Sequence, residues 1–146
     1  MKQNNLDNTD RCIQWQKDRG LDKMEFNLQE AIYRYLEEIY EMRGFDSKKS
    51  KSLARENVEL IEKLAKQEDV AYPHEHTIVD AIADLGVFGC GDFLKLNYDI
   101  KKVQSEVLDE ISSRKGAWSD EKGKWIKDPD QDSSTLYKAD FTKCKL

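Results

Sequence analysis

Residues 27–44 read Asn-Leu-Gln-Glu-Ala-Ile-Tyr-Arg-Tyr-Leu-Glu-Glu-Ile-Tyr-Glu-Met-Arg-Gly, and the fold is decided here. Leu28, Ile32, Tyr35, Leu36, Ile39 and Met42 recur at the three- and four-residue intervals of one helical stripe. Asn27 is a candidate N-cap, Glu30 stands where it can complete a capping arrangement, and Gly44 is a stop signal. The same helix carries Glu37, Glu38 and Glu41, which at about 100° per residue fall within an arc of about 100° beside the stripe. Three carboxylates so placed repel one another, and cations or solvent are the remedy. A solvated acidic face, with Arg34 and Arg43 as partners, accounts for this cluster taken alone.

Outward from this stretch the chain reads as helices throughout. A short helix over 9–19, with Thr9 as candidate cap, ends at Gly20. Beyond Gly44, the basic residues 48–51 read as a mobile connector to a helix over 53–67, with Val58, Ile61 and Leu64 on one side. Tyr72-Pro73 breaks the pattern. A helix over 76–96 stops at Asn97, and Asp99 caps another over 100–114, with Ile100, Val103, Val107 and Ile111 inward and Gly116 at its end. Residues 117–146 read as an irregular tail, with a tight turn around Gly123, that covers the site on binding. Strand-like alternation is nearly absent. The expectation is an all-α fold, a bundle of four to five helices forming a single domain over 1–146.

The second informative stretch is 78–91, where Asp80 and Asp84 are the only charged residues. The rest is Ile, Val, Ala, Leu, Phe, Cys and Gly, apolar nearly all round, which predicts a buried central helix. Asp80 and Asp84 lie one turn apart on one face. Buried carboxylates are paired, protonated or bound to metal, and the run contains no Lys or Arg. A salt bridge to Arg34 or to another helix is one solution. An all-oxygen divalent site shared with the glutamates is the other, and it suits Mg²⁺, with Mn²⁺ as a substitute. Gly86, Gly89 and Gly91 imply close approach of a backbone or a ligand. His74 and His76 flank Glu75 near the helix start, where capping or solvent exposure accounts for them better than a metal.

Composition bounds the partners. Of 146 residues, 24 are Lys or Arg and 29 Asp or Glu, a net charge of -5, which disfavours a broad nucleic-acid polymer surface. Three scattered cysteines, Cys12, Cys90 and Cys144, form no metal or disulfide pattern and fit a reducing, cytoplasmic compartment. No stretch is apolar enough for a secretory signal or a membrane span, so no membrane partner is expected.

Taken together these motifs resemble the MazG-like, phage-type branch of the all-α nucleoside triphosphate pyrophosphohydrolases, over nearly the whole chain. Ile13-Gln14-Trp15 with Asp18-Arg19-Gly20-Leu21 is similar to that family's opening Trp-Ala-x-x-Arg-Gly-Leu segment. Gln29 and Leu36-Glu37-Glu38-Ile39-Tyr40-Glu41 match its Gln and its Glu-Glu-x-x-Glu helix. Val79-Asp80-Ala81-Ile82-Ala83-Asp84-Leu85 is similar to its Asp-Ala-Leu-Ala-Asp-Leu pattern. Glu106-Val107 and Arg114-Lys115-Gly116 sit where the family has an acidic helix and a Ser-Lys end, and Gly123-Lys124-Trp125-Ile126-Lys127-Asp128-Pro129 resembles its Gly-Lys-Val-x-Lys-Gly-Pro loop. Two departures stand out. Ala81 occupies the position of a common second-helix Glu, which shifts that role to Asp80. Ile111-Ser112-Ser113-Arg114 replaces Asn-Met-Ser-Lys, which removes a polar contact to the nucleotide.

The resemblance implies hydrolysis of a (d)NTP to (d)NMP and pyrophosphate, in a homodimer or dimer of dimers. Glu38, Glu41 and Asp84, then Asp80, are the expected Mg²⁺ ligands. Glu37 is the candidate to orient or deprotonate water, and Glu38 is catalytic through the metal. Arg114, Lys115, Lys124 and Lys127 are candidates for phosphate. Trp15 is a candidate for base stacking or for the core. Tyr137, in the tail, has fewer core reasons to exist and joins Arg19 and Gln29 in the substrate-binding set. The alternatives are a phosphoribosyl-ATP pyrophosphohydrolase, which shares fold and metal logic, and a non-catalytic helical nucleotide-binding or interaction module.

Overall fold

In the computed structural model of the chain, residues 6–146 are described. Five α-helices dominate them: α1 (Asn8–Asp18), α2 (Leu28–Arg43), α3 (Ser47–Gln67), α4 (Glu75–Lys95) and α5 (Ile100–Ser112). A single antiparallel hairpin, β1 (Gly116–Ser119) and β2 (Lys124–Lys127), follows α5. The fold is all-α, as expected. By its internal contacts the chain divides into two compact units, one Glu25–Ile78 and the other the segment up to Met24 with Val79–Leu146.

The first unit is a helical hairpin. Asn27 caps α2 by accepting from the Glu30 amide at 3.0 Å, and Gly44 closes it in the left-handed region at φ +106°. Residues 48–51 are not a connector. They form the first turn of α3, because Asp46 is its N-cap and accepts from the Lys49 amide at 2.8 Å. Lysines at a helix N-terminus oppose the dipole, and that conflict made the segment read as a loop. The seam uses small side chains: Ala31 of α2 is buried, as are Ser50, Ala54 and Val58 of α3. The side chain of Asn57 donates to the Tyr40 hydroxyl at 2.6 Å. Glu30 pairs with Arg55 at 2.9 Å, and the Arg55 guanidinium lies 3.9 Å from the centre of the Tyr33 ring. The predicted apolar stripe is therefore split, with Tyr35, Ile39 and Met42 left exposed.

In the second unit α1 packs on α5. Arg11 donates to Ser105 at 2.9 Å and pairs with Asp109 at 2.5 Å, while the Asn8 side chain donates to the Lys101 carbonyl at 2.8 Å. Asp99 caps α5 by accepting from the amides of Lys101 and Lys102. Val103 and Leu108 are buried on α5, but Val107 is exposed and Glu106 takes an interior place. The face is turned because the C-terminal segment packs on it.

That segment is more ordered than an irregular tail. The turn around Gly123, at φ +60°, joins β1 to β2. Strands of four residues are too short to show alternation in sequence. Glu106 accepts from the Tyr137 hydroxyl, from Lys143 Nζ at 2.6 Å and from the Asp140 amide at 3.0 Å. Glu110 accepts from the Ala139 amide at 2.7 Å. The Cys144 carbonyl accepts from the Asp99 amide at 2.8 Å, and the Cys144 side chain is fully buried.

The helix expected to be buried is not. Among the described residues of α4 none is buried, and Val79, Val87, Phe88 and Leu94 are each more than half exposed in the single chain. Within the single chain only Ile78, Gly89, Gly91 and Phe93 of α4 reach half-burial. Among the described residues, no helix is long and apolar enough to cross a membrane.

The three hydrogen bonds, Lys143 first, hold the Glu106 carboxyl down at about 2. A carboxyl with a depressed folded pKa adds stability above its unfolded value and loses it as pH falls through the folded one. The C-terminal segment should thus loosen between about pH 5 and pH 2, and Glu106→Gln should loosen it at neutral pH. With Cys12 and Cys90 replaced by Ser, thiol labelling of Cys144 should accelerate at least tenfold in Glu106→Gln. Unchanged labelling would mean that Glu106 does not hold the segment.

Candidate functional site

Glu37, Glu38 and Glu41 project from the middle of α2, whose capped N-terminus and seam with α3 fix their register. Residues three and four apart on a helix are neighbours at about 5–6 Å. Partial burial, then repulsion from Glu41 and Glu37, pushes the Glu38 carboxyl above the usual carboxylate range. The expected partners Arg34 and Arg43 do not neutralise this ridge. Among the described residues none of Glu37, Glu38 and Glu41 is in an ion pair.

Asp80 and Asp84 stand one turn apart on α4, both exposed. Neither is paired with a cation of its own unit among the described residues. Within each unit, among the described residues, no three His, Cys, Asp or Glu side chains converge closely enough to hold a metal ion. The candidate donors are all carboxylate oxygens, which suit a hard divalent cation better than a soft metal. His74 takes the capping role: its Nδ1 accepts from the His76 amide at 3.1 Å, and its carbonyl accepts from Thr77 at 2.9 Å.

The basic and aromatic candidates fall into distinct places. Arg19 lies between two indoles, 4.3 Å from the Trp15 ring and 4.9 Å from the Trp125 ring. It also donates to the carbonyls of Ile111 at 3.3 Å and Arg114 at 3.2 Å, at the end of α5. Burial, with Arg114 nearby, lowers its pKa, and Asp18 offsets this. Its Nε and the Trp15 Nε1 are buried without a partner among the described residues. The Arg114 side chain pairs with Glu110 at 3.4 Å. Lys115, Lys124 and Lys127 are exposed on and beside the hairpin, and none is ion-paired among the described residues. Tyr137 is engaged by Glu106 and Lys143, which raises its pKa through Glu106; its hydroxyl has the packing reason that sequence did not reveal. Gln29 is exposed in the first turn of α2 and lines a groove of about 460 Å³ with Glu30, Arg55 and Glu59.

Sequence reading passed over Trp118 and Gln131. Gln131 ties the strand approach to α5, accepting from the Lys115 amide at 2.7 Å and donating to the Ser113 carbonyl at 2.8 Å. No local pattern announces such a residue. Trp118 had a signal, its spacing from Trp125 across a turn, which becomes the directly opposed pair Trp118–Trp125 of the hairpin. A Cβ at Gly116 would collide with the Ile126 carbonyl and the Trp125 ring, so only glycine leaves room for that ring.

Compared with protein-family models, curated proteins and solved structures, the chain gives no match.

A carboxyl whose folded pKa is raised contributes stability below its unfolded value and loses it as pH rises through the folded one. At neutral pH, without divalent cations, Glu38→Gln should therefore raise the melting temperature, by about a degree because the site is solvent-screened. The difference should vanish near pH 4. A lower melting temperature for Glu38→Gln at pH 7 would contradict the repulsion described.

Proposed function

We propose that this chain is a Mg²⁺-dependent, MazG-like nucleoside triphosphate pyrophosphohydrolase that cleaves a (d)NTP to (d)NMP and pyrophosphate. The observation that carries the reading is that both acidic sets, Glu37, Glu38 and Glu41 on α2 and Asp80 and Asp84 on α4, lack a cationic partner among the described residues. Clustered carboxylates kept without counter-charges are poised for a cation. The motif resemblance supplies the reaction.

Glu38, Glu41, Asp84 and Asp80 hold the metal in this reading. When bound, Mg²⁺ supplies neutralisation of the triphosphate and a water of lowered pKa. Glu37 would orient a water and take its proton as the water oxygen attacks the α-phosphorus; the bond from that phosphorus to the bridging oxygen would break, with pyrophosphate as leaving group. Lys115, Lys124 and Lys127, exposed and without ion pairs among the described residues, offer charge-assisted donors to phosphate oxygens. The apolar, exposed α4 favours assembly into a homodimer or dimer of dimers. The three free cysteines fit a cytoplasmic setting.

The test is pyrophosphate release from a panel of NTPs, dNTPs and phosphoribosyl-ATP, with Mg²⁺ or with EDTA. The expected result is Mg²⁺-dependent release from at least one nucleoside triphosphate. Glu38→Gln and Asp84→Asn should each lower it by about a hundredfold or more, with the helical circular dichroism unchanged. Turnover of phosphoribosyl-ATP alone would move the chain to that activity. No turnover of any substrate would make it a binding module.

A further inference from the structure

We propose that Trp118 is the base-stacking platform of a nucleoside-polyphosphate subsite on the β1–β2 hairpin. Two open surface grooves, of about 490 and 520 Å³, both reach Trp118. The other two tryptophans are committed to Arg19, whereas Trp118 keeps 41% of its surface exposed. One edge of its ring rests near Gly20, where an added Cβ would be 3.5 Å away. The ring is thus braced but not covered.

Cations surround it. Lys17 and Lys23 line the first groove, and Lys115, Lys122 and Lys127 line the second. Among the described residues none of these five is in an ion pair. The acidic residues in the two linings are already engaged: Asp18 accepts from Gln14 at 2.6 Å, and Asp128 from the Asp130 amide at 2.9 Å. In a chain of net charge -5, five unpaired lysines about one open indole select a flat aromatic group carrying several negative charges. The overall negative charge favours a mononucleotide over a single-stranded polymer. The choice of a nucleoside triphosphate rests on the enzymatic reading above; the placement of the base on Trp118 is new to it.

The test is calorimetric titration of the full chain with ATP in EDTA, where no hydrolysis is expected, beside tripolyphosphate and a ten-nucleotide oligo(dT). Trp118→Ala should weaken ATP binding by on the order of tenfold, and Trp118→Phe should restore most of it. Tripolyphosphate binding should be unchanged by Trp118→Ala, and Lys122→Gln with Lys127→Gln should weaken both ligands. Equal ATP affinity of wild type and Trp118→Ala, absence of ATP binding at millimolar concentration, or tighter binding of the oligonucleotide than of ATP would each overturn the proposal. Intact, Trp118-dependent ATP binding without pyrophosphate release under Mg²⁺ would remove the enzymatic reading and leave this subsite standing. Release that proceeds while Trp118→Ala binds ATP normally would do the reverse.

Discussion

A carboxylate withdrawn from water needs a cation or hydrogen-bond donors, and this chain meets that need for its buried Glu106, whereas the exposed Glu38 is in no ion pair among the described residues. Glu106, almost entirely buried, accepts from Lys143, Tyr137 and the Asp140 amide. The result is a low pKa and a C-terminal segment fastened to α5. Glu38 is in no ion pair among the described residues, and partial burial, then Glu41 and Glu37, moves its pKa the other way. The first arrangement is complete in itself and serves the fold. The second has no ion-pair partner among the described residues, and the proposed divalent cation would supply the counter-charge.

A second device joins the hairpin to the helices. Arg19 lies between Trp15 and Trp125 and donates to carbonyls at the end of α5, where a helix presents partial negative charge. One guanidinium thereby satisfies a helix terminus and fills the space between two indoles. Gly116 accommodates the Trp125 ring, and Gly20 leaves space beside Trp118. Lysines cluster around this platform because the strands and the end of α1 bring Lys17, Lys23, Lys115, Lys122 and Lys127 to its edges. The residues that fix the platform and those available to a ligand are therefore different ones.

Most helices were legible because their signals are local. Asn27, Asp99, Gly44 and Asn97 mark ends by short-range capping and left-handed backbone geometry, and the structure uses each of them. What failed to show in the sequence depends on distant partners. The start of α3 was hidden by lysines that contradict the helix dipole while Asp46 supplies the cap. The turned face of α5 follows from Glu106 meeting Tyr137 and Lys143, 31 and 37 positions further on, and no periodicity encodes that. Burial of α4 was inferred from its composition, yet composition states only that a helix favours apolar surroundings. In the single chain that surface stays exposed. The acidic sets were readable as residues on two helices; their lack of counter-charges was not, since pairing depends on the fold.

The proposal on which the functional reading rests is that the carboxylates of α2 and those of α4 serve as ligands of divalent cations. Its most direct measurement is an electron paramagnetic resonance titration of Mn²⁺ with the wild-type chain, Glu38→Gln and Asp84→Asn. The account predicts a bound-Mn²⁺ population that each substitution reduces by about tenfold or more in affinity and that added Mg²⁺ displaces. Mn²⁺ binding of equal strength in all three proteins would contradict it.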